Sequence, residues 1–154
     1  MRIAVSGSHA TGKSTLIDAF LARRPEYVHE PEAYETLADD VDLGSPEGPS
    51  PEGLRSLLDF TVAEIASRPP GARVIFERSP VDYLAYAAAC RNAPPELDAF
   101  LSEAVPVVRA SLRHLDLIVL LPASGEGRVD EDPRFRRRVD DRLRRALIDD
   151  DYDL

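Results

Sequence analysis

Close to its start the chain reads Gly7-Ser8-His9-Ala10-Thr11-Gly12-Lys13-Ser14-Thr15, which is G-x-x-x-x-G-K-[ST], the spacing of a P-loop. Glycines let the backbone turn tightly with its N–H groups facing inward, and the helix that follows adds the positive end of its dipole. The whole stretch from Gly7 to Thr15 is therefore assigned to nucleotide phosphate. Lys13 is expected to reach the β- and γ-phosphates as a catalytic charge, and the Ser14 hydroxyl to hold Mg²⁺. Lys13 is the only lysine among 19 basic residues. A compact ammonium suits a phosphate pocket where the wide fork of arginine does not.

Phosphoryl transfer asks for charge neutralisation and positioning more than for covalent help, and three further segments supply suitable groups. Glu77 follows the apolar run Val74-Ile75-Phe76, where a carboxylate can hold a water on Mg²⁺. Arg78 next to it can bind phosphate or a substrate hydroxyl. Glu30 follows Tyr27-Val28-His29 and is the candidate to accept a hydroxyl proton, with Glu32 and Glu35 as weaker substitutes. An arginine-rich stretch contains Arg134, Arg136, Arg137, Arg138, Arg142, Arg144 and Arg145, preceded by Arg128. Most of these suit a solvated helix with Asp140 and Asp141 as partners. Arg134 and Arg138 are the first choices to close over a transferring phosphate. His9, His29 and His114 have no company of metal-ligand spacing, so no zinc is assigned. Tyr34, Tyr83 and Tyr86 are either base-stacking rings or ordinary core aromatics.

These groups need a scaffold, and the apolar pattern indicates which. Short apolar runs at Ile3–Val5, Tyr27–His29, Arg73–Phe76 and Leu115–Leu121 alternate with helical patterns. Helices are expected after Lys13, from Leu54 through Ile65 until Arg68-Pro69-Pro70-Gly71 ends it, from about Val81 to Cys90, from Pro95 to about His114 with Pro106 a kink or break, and from roughly Pro133 to Ile148. Continuous apolar strands separated by helices imply an α/β domain, a three-layer sandwich with a mostly parallel sheet of four to five strands. Ligands in such sheets sit outside the carboxyl ends of the strands, which brings Gly7–Ser14, Glu30–Glu32 and Glu77–Ser79 together. Asp39 to Gly53, acidic and rich in Pro and Gly, reads as a surface loop able to close over substrate.

The 154 residues suffice for a single domain, 1–154, with a lid region at about 123–148. No apolar run approaches the length of a membrane span, and the expectation is a cytoplasmic protein that engages no membrane. The net charge of -9 argues against nucleic acid as the main partner. It leaves a small anionic ligand and a small-molecule acceptor, and a homodimer is left open. Cys90 is the only cysteine, so there is no disulfide framework.

At Gly7–Thr15, Glu30-Pro31, Phe76-Glu77-Arg78-Ser79-Pro80, Asp82-Tyr83-Leu84-Ala85-Tyr86 and Arg128–Arg138 the sequence resembles P-loop kinases of the deoxynucleoside and nucleotide kinase group. It is more similar still to the small ATPase/kinase family that includes the ribosylnicotinamide kinase domain of NadR-type proteins. The resemblance implies ATP and Mg²⁺ as cofactors. By it, Glu30 contacts the acceptor hydroxyl, Glu77 with Arg78 lies near Mg²⁺ and substrate, and Arg134 and Arg138, with Arg128, hold the phosphates. Such relatives often carry Ala-Arg after Glu-Pro, whereas this chain has Glu32-Ala33-Tyr34. P-loop domains usually add a strand and helix after the arginine-rich segment, and none is visible here.

The function expected is transfer of the γ-phosphate to a hydroxyl of a small molecule, a nucleoside or related riboside. The alternatives are a P-loop ATPase and a non-catalytic nucleotide-binding module. A GTPase is excluded, because its base-reading Asn-Lys-x-Asp needs a second lysine.

Overall fold

A computed structural model of the chain describes residues 1–37, 50–90, 95–123, 133–149, 152 and 154. In chain order it contains β1 (Arg2–Ser6), α1 (Lys13–Arg23), β2 (Val28–Glu30), α2 (Ala33–Leu37), α3 (Pro51–Ser67), β3 (Val74–Glu77), α4 (Pro80–Ala89), α5 (Pro95–Leu112), β4 (Leu117–Leu120) and α6 (Pro133–Leu147). The strands form one parallel sheet in the order β2-β3-β1-β4, with Ala4 beside Phe76 on one side and Ile118 on the other.

Alternation along the strands divides the core between two faces. Ile3, Val5 and Ile75 pack with Ile17 of α1, while Ala4, Val74 and Phe76 pack with Ile65 of α3. A larger cluster joins α3, α4, α5 and α6 through Leu58, Leu84, Phe100, Val108, Val139 and Leu143. This is the expected α/β architecture, with four strands among the described residues.

Local chemistry sets the helix starts. Ser50 caps α3 by accepting from the Gly53 N–H at 3.0 Å, with Pro51 at the first helical position. Ser79 and Asp82 form a capping box on α4, with Pro80 in the first turn. Helix α1 begins from Gly12 at φ 89° with no side-chain cap, which leaves its amino end to a ligand.

The break offered at Pro106 is absent, and two features were not foreseen. Helix α5 runs through Pro106 rather than breaking there. Pro106 is exposed while Phe100, Ala104 and Val108 face the core, so the carbonyl it deprives of a donor can turn to water. Strand β4, the most apolar in sequence, is the half-exposed edge of the sheet, with Leu117 43% accessible. The short α2 was not anticipated. Of the loop expected over Asp39 to Gly53, residues 39–49 lie outside those described, and Pro51–Gly53 belong to α3.

Candidate functional site

Because β1 lies between β3 and β4, the connections leaving β1 and β3 diverge at their carboxyl ends, where a crevice opens in a parallel sheet. The Gly7–Thr15 segment enters that crevice from β1. Gly7 is required by close approach: a Cβ there would lie 2.7 Å from the Leu121 carbonyl oxygen. Lys13, the first residue of α1, is buried and donates to the carbonyls of Gly7 at 3.2 Å and Ser8 at 3.0 Å. Burial first, and the Arg78 guanidinium second, push its pKa below 10.5, against the opposing pull of Asp82, Glu32 and Glu77. The Ser8 hydroxyl is buried with no hydrogen-bond partner among the described residues. An unpartnered buried hydroxyl in a glycine-rich loop beside a buried ammonium is what a phosphate oxygen would satisfy, so the segment fits that ligand.

The second arm of the site comes from β3. The Ser14 hydroxyl donates to Glu77 Oε1 at 2.9 Å, and His29 Nε2 lies 3.8 Å from Glu77 Oε2. One hydroxyl and one carboxylate at the edge of a phosphate cradle form an oxygen donor set of the kind Mg²⁺ takes, so Ser14 and Glu77 fit the metal assigned to them.

Arg78 follows in a left-handed conformation, φ 80°, that a side-chain-bearing residue adopts at a cost. Its N–H pairs with the Val5 carbonyl at 3.0 Å while its side chain turns back under the P-loop. There it meets Glu32, the Gly7 carbonyl at 3.2 Å and Asp82 Oδ1 at 3.4 Å, and lies 5.0 Å from the centre of the Tyr86 ring.

Glu30, at the end of β2, is paired with Arg68, the residue that follows α3, which also contacts Glu64 at 3.2 Å. Beside it is a cavity of about 250 Å³ lined by Glu30, Pro31, Phe60, Thr61, Glu77 and Arg78 among others. Two arms of the site, after β2 and after β3, thus share one cavity, as the strand-end rule requires.

The arginines of α6 divide differently from the sequence expectation. Arg136, 3% accessible, donates to the carbonyls of His9 at 3.1 Å and Ala10 at 3.2 Å, which places it on the P-loop. Arg138 donates to the Ala89 carbonyl at 2.7 Å at the end of α4, and Arg134 is exposed. Arg128 lies outside the described residues. Tyr86 and Tyr83 serve packing: the Tyr86 hydroxyl accepts from the His9 N–H at 3.1 Å and its ring meets Phe135, and Tyr83 shares a 2.9 Å hydrogen bond with Thr61. Tyr34 is exposed.

Sequence reasoning left out Arg136 and Asp82 as site residues. The first could be found by asking which α6 arginine falls on the same face as Val139 and Leu143, and the second from its place three residues after Ser79 in a capping box.

No helix among the described residues is long and apolar enough to cross a membrane. A family model described as an AAA domain matches residues 2–154. No curated protein matches the chain.

Proposed function

The chain belongs to that AAA-domain family, a P-loop nucleotide-binding family, and from this premise we propose that it is an ATP- and Mg²⁺-dependent phosphotransferase acting on a hydroxyl of a small molecule. A nucleoside or related riboside is the first acceptor class to test. The observation that carries the reading is the cavity beside Glu30, Glu77 and Arg78, next to the phosphate cradle. Hydrolysis alone needs no such second chamber.

In this reading Glu30, oriented by Arg68, takes the proton of the acceptor hydroxyl as its oxygen bonds to the γ-phosphorus and ADP leaves. Lys13 exchanges its carbonyl partners for the β- and γ-phosphate oxygens and stabilises their charge. Ser14 and Glu77 would hold Mg²⁺, which would supply neutralising charge for the transferring phosphate. Arg78 forms the wall between cradle and cavity. Arg134 and Arg128 stay the proposed lid cations, and Arg138 would have to leave the Ala89 carbonyl to join them.

The test is ADP release from Mg·ATP across nucleosides, ribosides, nucleoside monophosphates and simple sugars, with a water control. Acceptor-dependent release that Glu30→Gln lowers at least tenfold supports the transferase. Equal release with water alone supports an ATPase instead, and nucleotide binding without release a non-catalytic module.

A further inference from the structure

We infer that Asp82 is the positioning residue of the phosphate cradle, holding the Gly7 amide directly and the Gly7 carbonyl through Arg78. Its two carboxylate oxygens have different tasks. Oδ2 accepts from the Ser79 N–H at 2.9 Å and the Ser79 hydroxyl at 3.1 Å, which is the capping work expected at the start of α4. Oδ1 is turned away from α4, accepting from the Gly7 N–H at 3.1 Å and meeting Arg78 Nη1 at 3.4 Å. A helix cap alone has no use for that second oxygen.

The arrangement matters because of what converges on Gly7. Its carbonyl receives Arg78 Nη1 at 3.2 Å and Lys13 Nζ at 3.2 Å, so two buried cations share one acceptor. Asp82, wholly buried, is the anion that meets Arg78 from α4, and Glu32 meets it from the other side. Lys13 must leave Gly7 to reach phosphate. Arg78 must stay, or the first turn of the loop loses its shape. Asp82 decides between them by fixing Arg78 and the Gly7 amide at once, while Ser6 at the end of β1 donates to Ser79 at 2.7 Å and ties the loop's entry to the same cluster. The cradle is thereby set before nucleotide arrives, which lowers the ordering cost of binding.

Asp82→Asn tests this with little change in volume. The four donors around Asp82 come two to each oxygen, so an amide must turn its NH₂ against donors on one side and no longer opposes Arg78. The expected result is a Kd for fluorescently labelled Mg·ADP raised at least tenfold at a temperature where circular dichroism shows the variant folded. Val108→Ala, a core truncation on α5 far in sequence from the cradle, supplies a destabilised control whose Kd stays within threefold of the parent. A Kd for Asp82→Asn within threefold of the parent, or an equal rise in Val108→Ala, overturns the inference. Should Asp82→Asn not fold, amide exchange of the unaltered protein decides: Gly7 is expected to be protected without nucleotide, and exchange at the rate of an unstructured amide overturns the claim.

Discussion

The Ser14 hydroxyl donates to Glu77 Oε1 across 2.9 Å, tying the first turn of α1 to the end of β3. The two groups proposed for the metal therefore already occupy each other, and a cation entering there exchanges that hydrogen bond for its own ligation. Ser14→Ala and Glu77→Gln are each expected to raise the Mg²⁺ concentration needed for half-maximal ADP release by about 10- to 100-fold. A Mg²⁺ titration at saturating ATP reads this directly. An unchanged midpoint in both variants would remove them from the metal site.

Arg78 allows a test that separates backbone from side chain. Both Arg78→Ala and Arg78→Gly lose the guanidinium and its contacts with Glu32, Gly7 and Asp82. Only glycine accepts φ 80° without strain. The glycine variant is therefore expected to be the more stable of the two by about 1 kcal/mol in urea denaturation. The reverse order would mean that the backbone relaxes once the side chain is gone.

Much of this is legible in the sequence alone. The parallel sheet follows from apolar runs at β1 and β3 that have no alternation, and the P-loop from spacing alone. Harder to read was what lies between the ends of elements. The arginines taken by themselves, Arg134, Arg136 and Arg138, do not say which side chain faces the P-loop; that depends on the rotation of α6, and only the helical register with Val139 and Leu143, which sit in the core it shares with α4, picks out Arg136. Asp82 was hidden for another reason: a helix cap explains it fully in sequence, and only the position of Gly7 reveals the second use of its carboxylate. The edge position of β4 escaped detection because a run such as Leu117-Ile118-Val119-Leu120 looks the same at the centre of a sheet as at its edge.

Arg136 gives a further prediction. Its two bonds to the His9 and Ala10 carbonyls are almost wholly shielded from water, so Arg136→Ala strands both acceptors and should cost about 1–3 kcal/mol of stability. Those carbonyls belong to the proposed nucleotide cradle. The rise in Tm that Mg·ADP produces should therefore shrink in the variant, whereas a purely structural arginine would lower Tm and leave that rise intact.

Lys13 makes nucleotide affinity depend on pH, and the direction follows from its surroundings. Burial, with Arg78 second, sets its pKa below 10.5 in the nucleotide-free protein, while Asp82, Glu32 and Glu77 limit the fall. Phosphate oxygens in place of the Gly7 and Ser8 carbonyls favour the charged ammonium, so the pKa rises in the complex. Below the lowered value Lys13 is charged in both states and affinity is flat. As pH rises through it, the free protein loses a proton that the complex keeps, so binding takes up a proton and affinity falls by up to about tenfold per pH unit. Burial pushes the Tyr86 hydroxyl and the Cys90 thiol upward, and a Lys13→Ala control that keeps both groups separates their titration from that of Lys13. Calorimetry of Mg·ADP binding in two buffers of different ionisation enthalpy should show proton uptake on the alkaline side. Lys13→Ala should abolish the uptake and lower ADP release by at least about two powers of ten. A loss under threefold would mean that Lys13 does not meet the reacting phosphates.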